Sequence, residues 1–153
     1  MEQVCVGVDI GGTSVKLGIF TLNGNLLKKW EIPTEPKNDP KALIEKIGKS
    51  IKETLKEARL TLTDCVGVGM GVPGPVMPNG FIEVVVNIGW REVFPARILS
   101  DFLAGMPVAL GNDANVAALG EAWMGGAKHQ QDSVMVTLGT GVGGGIIIDG
   151  KIV

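Results

Sequence analysis

Residues 4–24 read VCVGVDIGGTSVKLGIFTLNG, and their pattern decides the architecture. Val4 to Ile10 is an almost unbroken apolar run, interrupted by a charge only at Asp9. That predicts a central strand covered on both faces. Gly11-Gly12-Thr13 is a tight turn. Val15, Leu17 and Ile19 then alternate with Lys16, Gly18 and Phe20, the period of a second strand. Asn23-Gly24 predicts a two-residue type I′ hairpin turn, whose central positions both need positive φ. A third strand follows from Leu26 to Ile32, and Lys28 and Lys29 mark it as an edge. Short turns between three successive strands make an antiparallel meander.

The same plan returns near the end of the chain. Residues 134–153, VMVTLGTGVGGGIIIDGKIV, again run strand, glycine turn, strand, Asp-Gly turn and strand. A three-stranded meander cannot bury its own faces. The sequence therefore reads as one complete half, residues 1–132, and the opening of a second, residues 133–153, of a two-lobed protein.

Helical patterns fill the space between. Asp39 followed by Pro40 is an N-cap with proline at the first helical position. Ile44, Ile47, Ile51, Leu55 and Ala58 then form one apolar stripe, flanked by Leu43, on a helix running to Leu60. Cys65 to Val72 is a buried strand, and Gly71 to Gly80 is a loop rich in glycine and proline. Phe81 to Val86 is strand-like. A second helix follows Pro95, with Ile98, Leu99, Phe102 and Leu103 inward. Val108 to Gly111 is a short strand, and Asn112-Asp113-Ala114-Asn115 caps a third helix ending near Gly125-Gly126. Strands joined by helical crossovers pair in parallel. The expected fold class is a mixed α/β sheet with helices on both faces.

Composition removes several classes. The chain has 153 residues, 45% hydrophobic and 20% charged, with a formal net charge of -2. Disordered chains are poorer in apolar residues, and nucleic-acid or anionic-membrane binders carry a basic field. No apolar run approaches the ~20 residues that span a bilayer. Met1-Glu2-Gln3 lacks the positive segment of a signal peptide, so the expected location is cytoplasmic. His129 is the single histidine, which excludes a two-His metal site within the chain, and its polar neighbourhood makes it a surface residue. Cys5 and Cys65 each lie in an apolar run with no CxxC, as buried thiols do. Glycine is 23 of 153 residues, roughly twice the usual share, and clusters between apolar runs.

Four clusters can carry chemistry. Asp9 with Gly11-Gly12-Thr13 is the first. A glycine turn after a buried strand lets backbone N–H groups reach an anion with no Cβ in the way. Asp9 at the strand end could hold a hydrated Mg²⁺. The alternative is a plain glycine hairpin. No GxxxxGK[ST] exists, and the turn leads into a strand, so neither nucleotide fingerprint applies. The second cluster, Gly139-Thr140-Gly141 with Gly143 to Gly145, repeats the plan, and two such loops can grip a polyphosphate from both sides. The third is Asn112 and Asp113. They are favoured cap residues, but they also follow a strand where α/β proteins bind ligands. Asp113 there could take a proton from a substrate hydroxyl. The fourth is Asn87 with Trp90: the amide suits sugar hydroxyls, and the indole offers either an apolar face or a loop anchor. Glu121 reads as a solvated or capping carboxylate.

Five segments in order, DIGGTSVKLGIF (9–20), GVGMGVPGPV (67–76), NIGW (87–90), NDANVAALGEAWMGGAK (112–128) and TLGTGVGGGIIIDGKIV (137–153), resemble the N-terminal lobe of the ROK family of repressors, open reading frames and kinases. Within it they are most similar to the ATP-dependent glucokinases of bacteria. The resemblance implies a ribonuclease-H-like lobe of the actin/hexokinase type, whose duplicated lobes account for the repeat. It also implies phosphoryl transfer from ATP, with Mg²⁺, to the 6-hydroxyl of glucose or a related hexose. Asp113 matches the catalytic base. Asn87, Asn112 and Asp113 match sugar-binding positions. Asp9, Gly11, Gly12 and Thr13 match the first phosphate loop, and Gly139, Thr140, Gly141 and Gly143 the second.

Ser14 and the run Val84-Val85-Val86 depart from the family pattern; Lys16 keeps a basic residue near the first loop. The family's Glu-x-x-Gly-His motif, zinc cluster and adenine pocket belong downstream of Val153, so a structural zinc is not expected in this chain. The implied partner is a missing C-terminal lobe, and activity of the fragment alone is expected to be weak or absent. The other reading is a non-catalytic sugar-binding or self-associating module, a homodimer built through the exposed cleft face and the final meander. Neither nucleic acid nor membrane is an expected partner.

Overall fold

Residues 3–113 and the backbone of 133–138, 142–148 and 151–152 are described by the computed structural model. The chain divides into two compact units, Met1–Gly111 and Asn112–Val153.

The first unit is built on the opening meander. Strand β1 (Val4–Ile10) pairs antiparallel with β2 (Ser14–Thr21), which pairs antiparallel with β3 (Leu26–Pro33). On the other side, β1 pairs in parallel with β4 (Cys65–Val72). With β7 (Val108–Asn112) the sheet order is β3–β2–β1–β4–β7. The lysine-bearing β3 thus lies at the edge, as its charges predict. One face of β1 is fully buried through Val4, Val6, Val8 and Ile10. The other face is half-covered, because Cys5 and Gly7 are partly exposed and Asp9 is exposed. Phe20 covers part of it: its ring lies beside Gly7 and Gly18, which face each other across β1 and β2.

The β2–β3 turn differs from expectation. Four residues, 22–25, separate the strands. The Gly24 N–H donates to the Thr21 carbonyl at 3.0 Å. Among the described residues of this turn only Gly24 has positive φ, at 90°. The Thr21 hydroxyl accepts from the Asn25 N–H at 3.1 Å and so stabilises the longer connection.

Helix α1 (Pro40–Glu57) crosses from β3 to β4. The Asp39 carboxylate caps it by accepting from the Ala42 N–H at 3.1 Å. Leu43, Ile44, Ile47, Ile51 and Leu55 are buried against the sheet. Each such side chain contributes about 1.5–3 kcal/mol over exposure. The helix stops three residues short of Leu60 because Arg59 turns left-handed, with φ 60°. The Leu60 N–H then donates back to the Leu55 carbonyl at 2.8 Å, the pattern of a Schellman ending. Ala58 is consequently exposed and not part of the stripe. Trp30 on β3 donates its indole N–H to the Ser50 hydroxyl at 2.7 Å, tying the edge strand to α1.

Strands β5 (Ile82–Val85) and β6 (Trp90–Val93) form an antiparallel hairpin; the sequence pattern signals only the first. Four residues with two charges, Trp90-Arg91-Glu92-Val93, leave too short a period to read. Helix α2 (Pro95–Phe102) buries Leu99, and Leu103 just beyond it is also buried. It packs on α1 where Gly48 meets the Phe102 ring, and a Cβ at Gly48 would collide with that ring.

Both thiols are free. Cys65 is buried and Cys5 only half-buried, a partial departure from two buried thiols. Burial pushes both thiol pKa values up from 9.0; at Cys65 hydrogen bonding with the Gly67 backbone opposes this and Cys5 adds to it.

In the second unit, β8 (Ser133–Leu138), β9 (Val142–Ile148) and β10 (Lys151–Ile152) form an antiparallel sheet in the order β10–β9–β8. The repeat read from the sequence is thus matched by two antiparallel meanders. In each, three residues separate the first two strands, 11–13 and 139–141. The third helix, with Glu121 and His129, lies outside the described residues. Among the described residues no helix is long and apolar enough to cross a membrane.

Candidate functional site

The parallel pair β1–β4 sets the place. Asp9 is in register with Gly71, so both strands end at one edge of the sheet. Open α/β sheets bind ligands at such carboxyl ends. From Ile10 the chain turns through Gly11-Gly12-Thr13 into β2. The Gly11 N–H closes the turn on the Ser14 carbonyl oxygen at 2.9 Å. A Cβ on Gly11 would stand 2.8 Å from that oxygen, so packing requires glycine there. Gly12 differs: a Cβ on it would meet nothing within 4 Å, and its φ is not left-handed. The fold does not require glycine at position 12. Glycine there leaves the backbone of the turn with no side chain over it. Thr13 is exposed beside it.

Asp9 and Lys16 are both exposed and face each other in the β1–β2 register. Opposed residues have Cβ atoms about 4.5–5.5 Å apart. A carboxylate and an ammonium therefore flank the glycine turn, the pairing a phosphate with a hydrated cation would use.

Thr34 closes the turn from behind. It is fully buried just past β3. Its hydroxyl donates to the Gly11 carbonyl at 2.8 Å, and its N–H donates to the Thr13 carbonyl at 2.9 Å. Nothing in the sequence marks Thr34 for this role. A hydroxyl just past the end of a strand carries no signal of a partner 23 positions away.

Asn87 sits in a short 3-10 turn, Val86–Ile88, between β5 and β6. It is exposed, and Val86 before it is 83% exposed. Gly89 ends the turn in the left-handed region at φ 68°. The Asn38 N–H donates to the Ile88 carbonyl at 3.1 Å, and a Cβ on Gly89 would collide with the Asn38 side chain. Gly74, in the loop after β4, packs on Val85 next to the turn. Trp90 is fully buried, so it anchors the loop and offers no face to a sugar. Among the described residues its indole N–H has no hydrogen-bond partner.

Asn112 ends β7 and Asp113 follows it in helical conformation, both half-buried, at the start of the second unit. Gly143 lies on β9 opposite Thr137. Gly139, Thr140 and Gly141 lie outside the described residues. The first unit therefore brings together Asp9, Gly11, Gly12 and Thr13, and one segment, 34–38, touches both this turn and the turn that carries Asn87.

The chain matches the ROK family model over residues 5–153. It is 41% identical over 148 residues to a glucokinase of Halalkalibacterium halodurans, covering 96% of this chain and 44% of that protein. The crystal structure of a ROK family glucokinase from Streptomyces griseus, in complex with glucose and AMPPNP, superposes with a TM-score of 0.83 at 32% identity, covering 97% of this chain and 46% of that one. A ROK hexokinase from Thermus thermophilus gives 0.84 at 35% identity, covering 99% and 49%. The chain spans less than half the length of each. Its fold is the ribonuclease-H-like α/β type of actin and hexokinase, and the chain belongs to the ROK family.

Proposed function

We propose that this chain is the N-terminal part of a hexose kinase that transfers the γ-phosphoryl group of ATP to the 6-hydroxyl of glucose. The observation that carries the reading is the glycine turn 11–13, open at Gly12, flanked by Asp9 and Lys16, in a chain 41% identical to a glucokinase. Residues 133–153 are proposed as the opening of the second lobe.

Each residue has a role in this reading. Asn87 and Asn112 hydrogen-bond sugar hydroxyls and fix the 6-hydroxyl in place. The Asp113 carboxylate takes the proton of that hydroxyl as its oxygen bonds to the γ-phosphorus. The bond from that phosphorus to the β,γ-bridging oxygen breaks, and ADP leaves. The transition state needs chiefly positioning and charge neutralisation. The turn 11–13, with Thr13, and its counterpart at Gly139, Thr140, Gly141 and Gly143 hold the polyphosphate through backbone N–H groups. The exposed carboxylate of Asp9 suits a cation that keeps most of its waters, as Mg²⁺ does. Mg²⁺, when bound, neutralises charge on the phosphates. Closure by a second lobe would exclude water from the site.

A coupled assay of glucose-dependent ADP release tests this reading. The chain is assayed alone and with the C-terminal half of a bacterial glucokinase added in trans. Activity appearing on mixing supports the proposal. Silence from halves shown to be folded and associated overturns it and favours a binding role.

A further inference from the structure

We infer that Thr34 is a positioning residue for the phosphate-binding turn: its buried hydroxyl sets the direction in which the Gly12 N–H points. The inference rests on the reading of residues 11–13 as a phosphate loop. The geometry carries it. A buried hydroxyl is costly unless paired, and this one is spent on the Gly11 carbonyl at 2.8 Å. The peptide bond between Gly11 and Gly12 is planar and trans, so its N–H points opposite to its C=O. Holding the Gly11 carbonyl toward Thr34 therefore aims the Gly12 N–H away from Thr34.

A second bond, from the Thr34 N–H to the Thr13 carbonyl, fixes the other end of the turn. Thr34 cannot slide to follow a displaced loop. It is buried at one end of a five-residue segment whose other end, Asn38, is bonded to the Ile88 carbonyl. Without the hydroxyl the Gly11 peptide is free to rotate, and the Gly12 N–H loses its preset aim. Preorganised donors are what make backbone anion sites effective, since no reorganisation is needed on binding.

The test is an amide-resolved NMR titration of the 153-residue chain with MgATP and, separately, with inorganic tripolyphosphate. In the parent protein the Gly12 and Thr13 amide signals should shift and saturate. Thr34→Val, isosteric but without the hydroxyl, should weaken binding at least tenfold, while the Leu43 and Ile47 signals stay in place. Thr34→Ser, which keeps the hydroxyl, should bind within threefold of the parent. If Thr34→Val loses the native spectrum, Thr34→Ala, which cannot overfill the site, replaces it. A parent protein silent at Gly12 and Thr13 with both ligands overturns the phosphate-loop reading and this inference together. A responsive parent with an equally tight, natively folded Thr34→Val or Thr34→Ala overturns the role of Thr34 and leaves the loop reading standing. Equal weakening in Thr34→Ser and Thr34→Val assigns the effect to packing and also overturns the inference.

Discussion

Gly11 and Gly12 are neighbours, yet alanine at each should do opposite things. At Gly11 the new methyl would stand 2.8 Å from the Ser14 carbonyl oxygen, a backbone atom that cannot swing aside. The same oxygen accepts the Gly11 N–H at 2.9 Å, so relieving the clash stretches the bond that closes the turn. Overpacking of this kind costs about 1–3 kcal/mol, and a weakened hydrogen bond about 1 more. A domain of this size loses roughly 2–4 °C in Tm per kcal/mol, so Gly11→Ala should lower Tm by roughly 5–15 °C. At Gly12 the methyl meets nothing within 4 Å. Gly12→Ala should keep stability within about 1 kcal/mol of the parent, since a compatible alanine also restricts the unfolded chain. Its cost should fall on ligand binding, because the methyl occupies the open side of the turn. Far-UV circular dichroism melts measure the first effect, and calorimetric MgATP titration the second. A Gly12→Ala chain that binds MgATP as tightly as the parent would refute the claim that this turn receives the phosphates. A Gly11→Ala chain with the parent's Tm would refute the packing argument.

Three further outcomes follow from named contacts. Asp113→Asn, assayed in the two-part kinase, should lower kcat by about 10²–10⁴ while leaving the melting curve unchanged; near-parental turnover would remove Asp113 from the base role. Asp39→Ala removes the side-chain acceptor for the Ala42 N–H and should cost about 0.5–2 kcal/mol in urea unfolding; an unchanged midpoint would mean that Pro40 alone starts the helix. Cys5 and Cys65 hold their protons more tightly folded than unfolded. Their contribution to stability is therefore complete below pH 9.0, the ordinary thiol value, and declines as the pH rises above it. Urea midpoints at pH 7 and pH 10 check the sign. Iodoacetamide at pH 8 should label the native chain more slowly than the chain in urea, and equal rates would contradict the burial of Cys65.

Much of this lobe is legible in one dimension because its elements are set by local period. Val4–Ile10 and Cys65–Val72 carry apolar runs of strand length, and both strands form over those bounds. The α1 stripe is legible because a 3.6-residue period fixes a face whatever lies against it. The readings that fail do so where local chemistry has more than one solution. Asn23-Gly24 permits a type I′ turn, but the Thr21 hydroxyl favours a longer connection with Gly24 alone left-handed. Ala58 fits the stripe, but the left-handed Arg59 ends the helix before it counts.

The sequence by itself determined most of the strands, the apolar stripe of α1, the repeated meander and the chemistry available in it: a carboxylate, a glycine turn and asparagines next to turns. Those follow from residue type and spacing along one chain. Only the tertiary structure decided which carbonyl Thr34 holds, that Asn38 grips the turn carrying Asn87, and that Trp90 faces the core. It also separated the two glycines, Gly11 required by a backbone oxygen and Gly12 by nothing in the fold. The physical reason is that a hydrogen bond or a steric clash depends on distance in space, and the partners here are brought together by sheet order and a crossover helix, which no local period encodes.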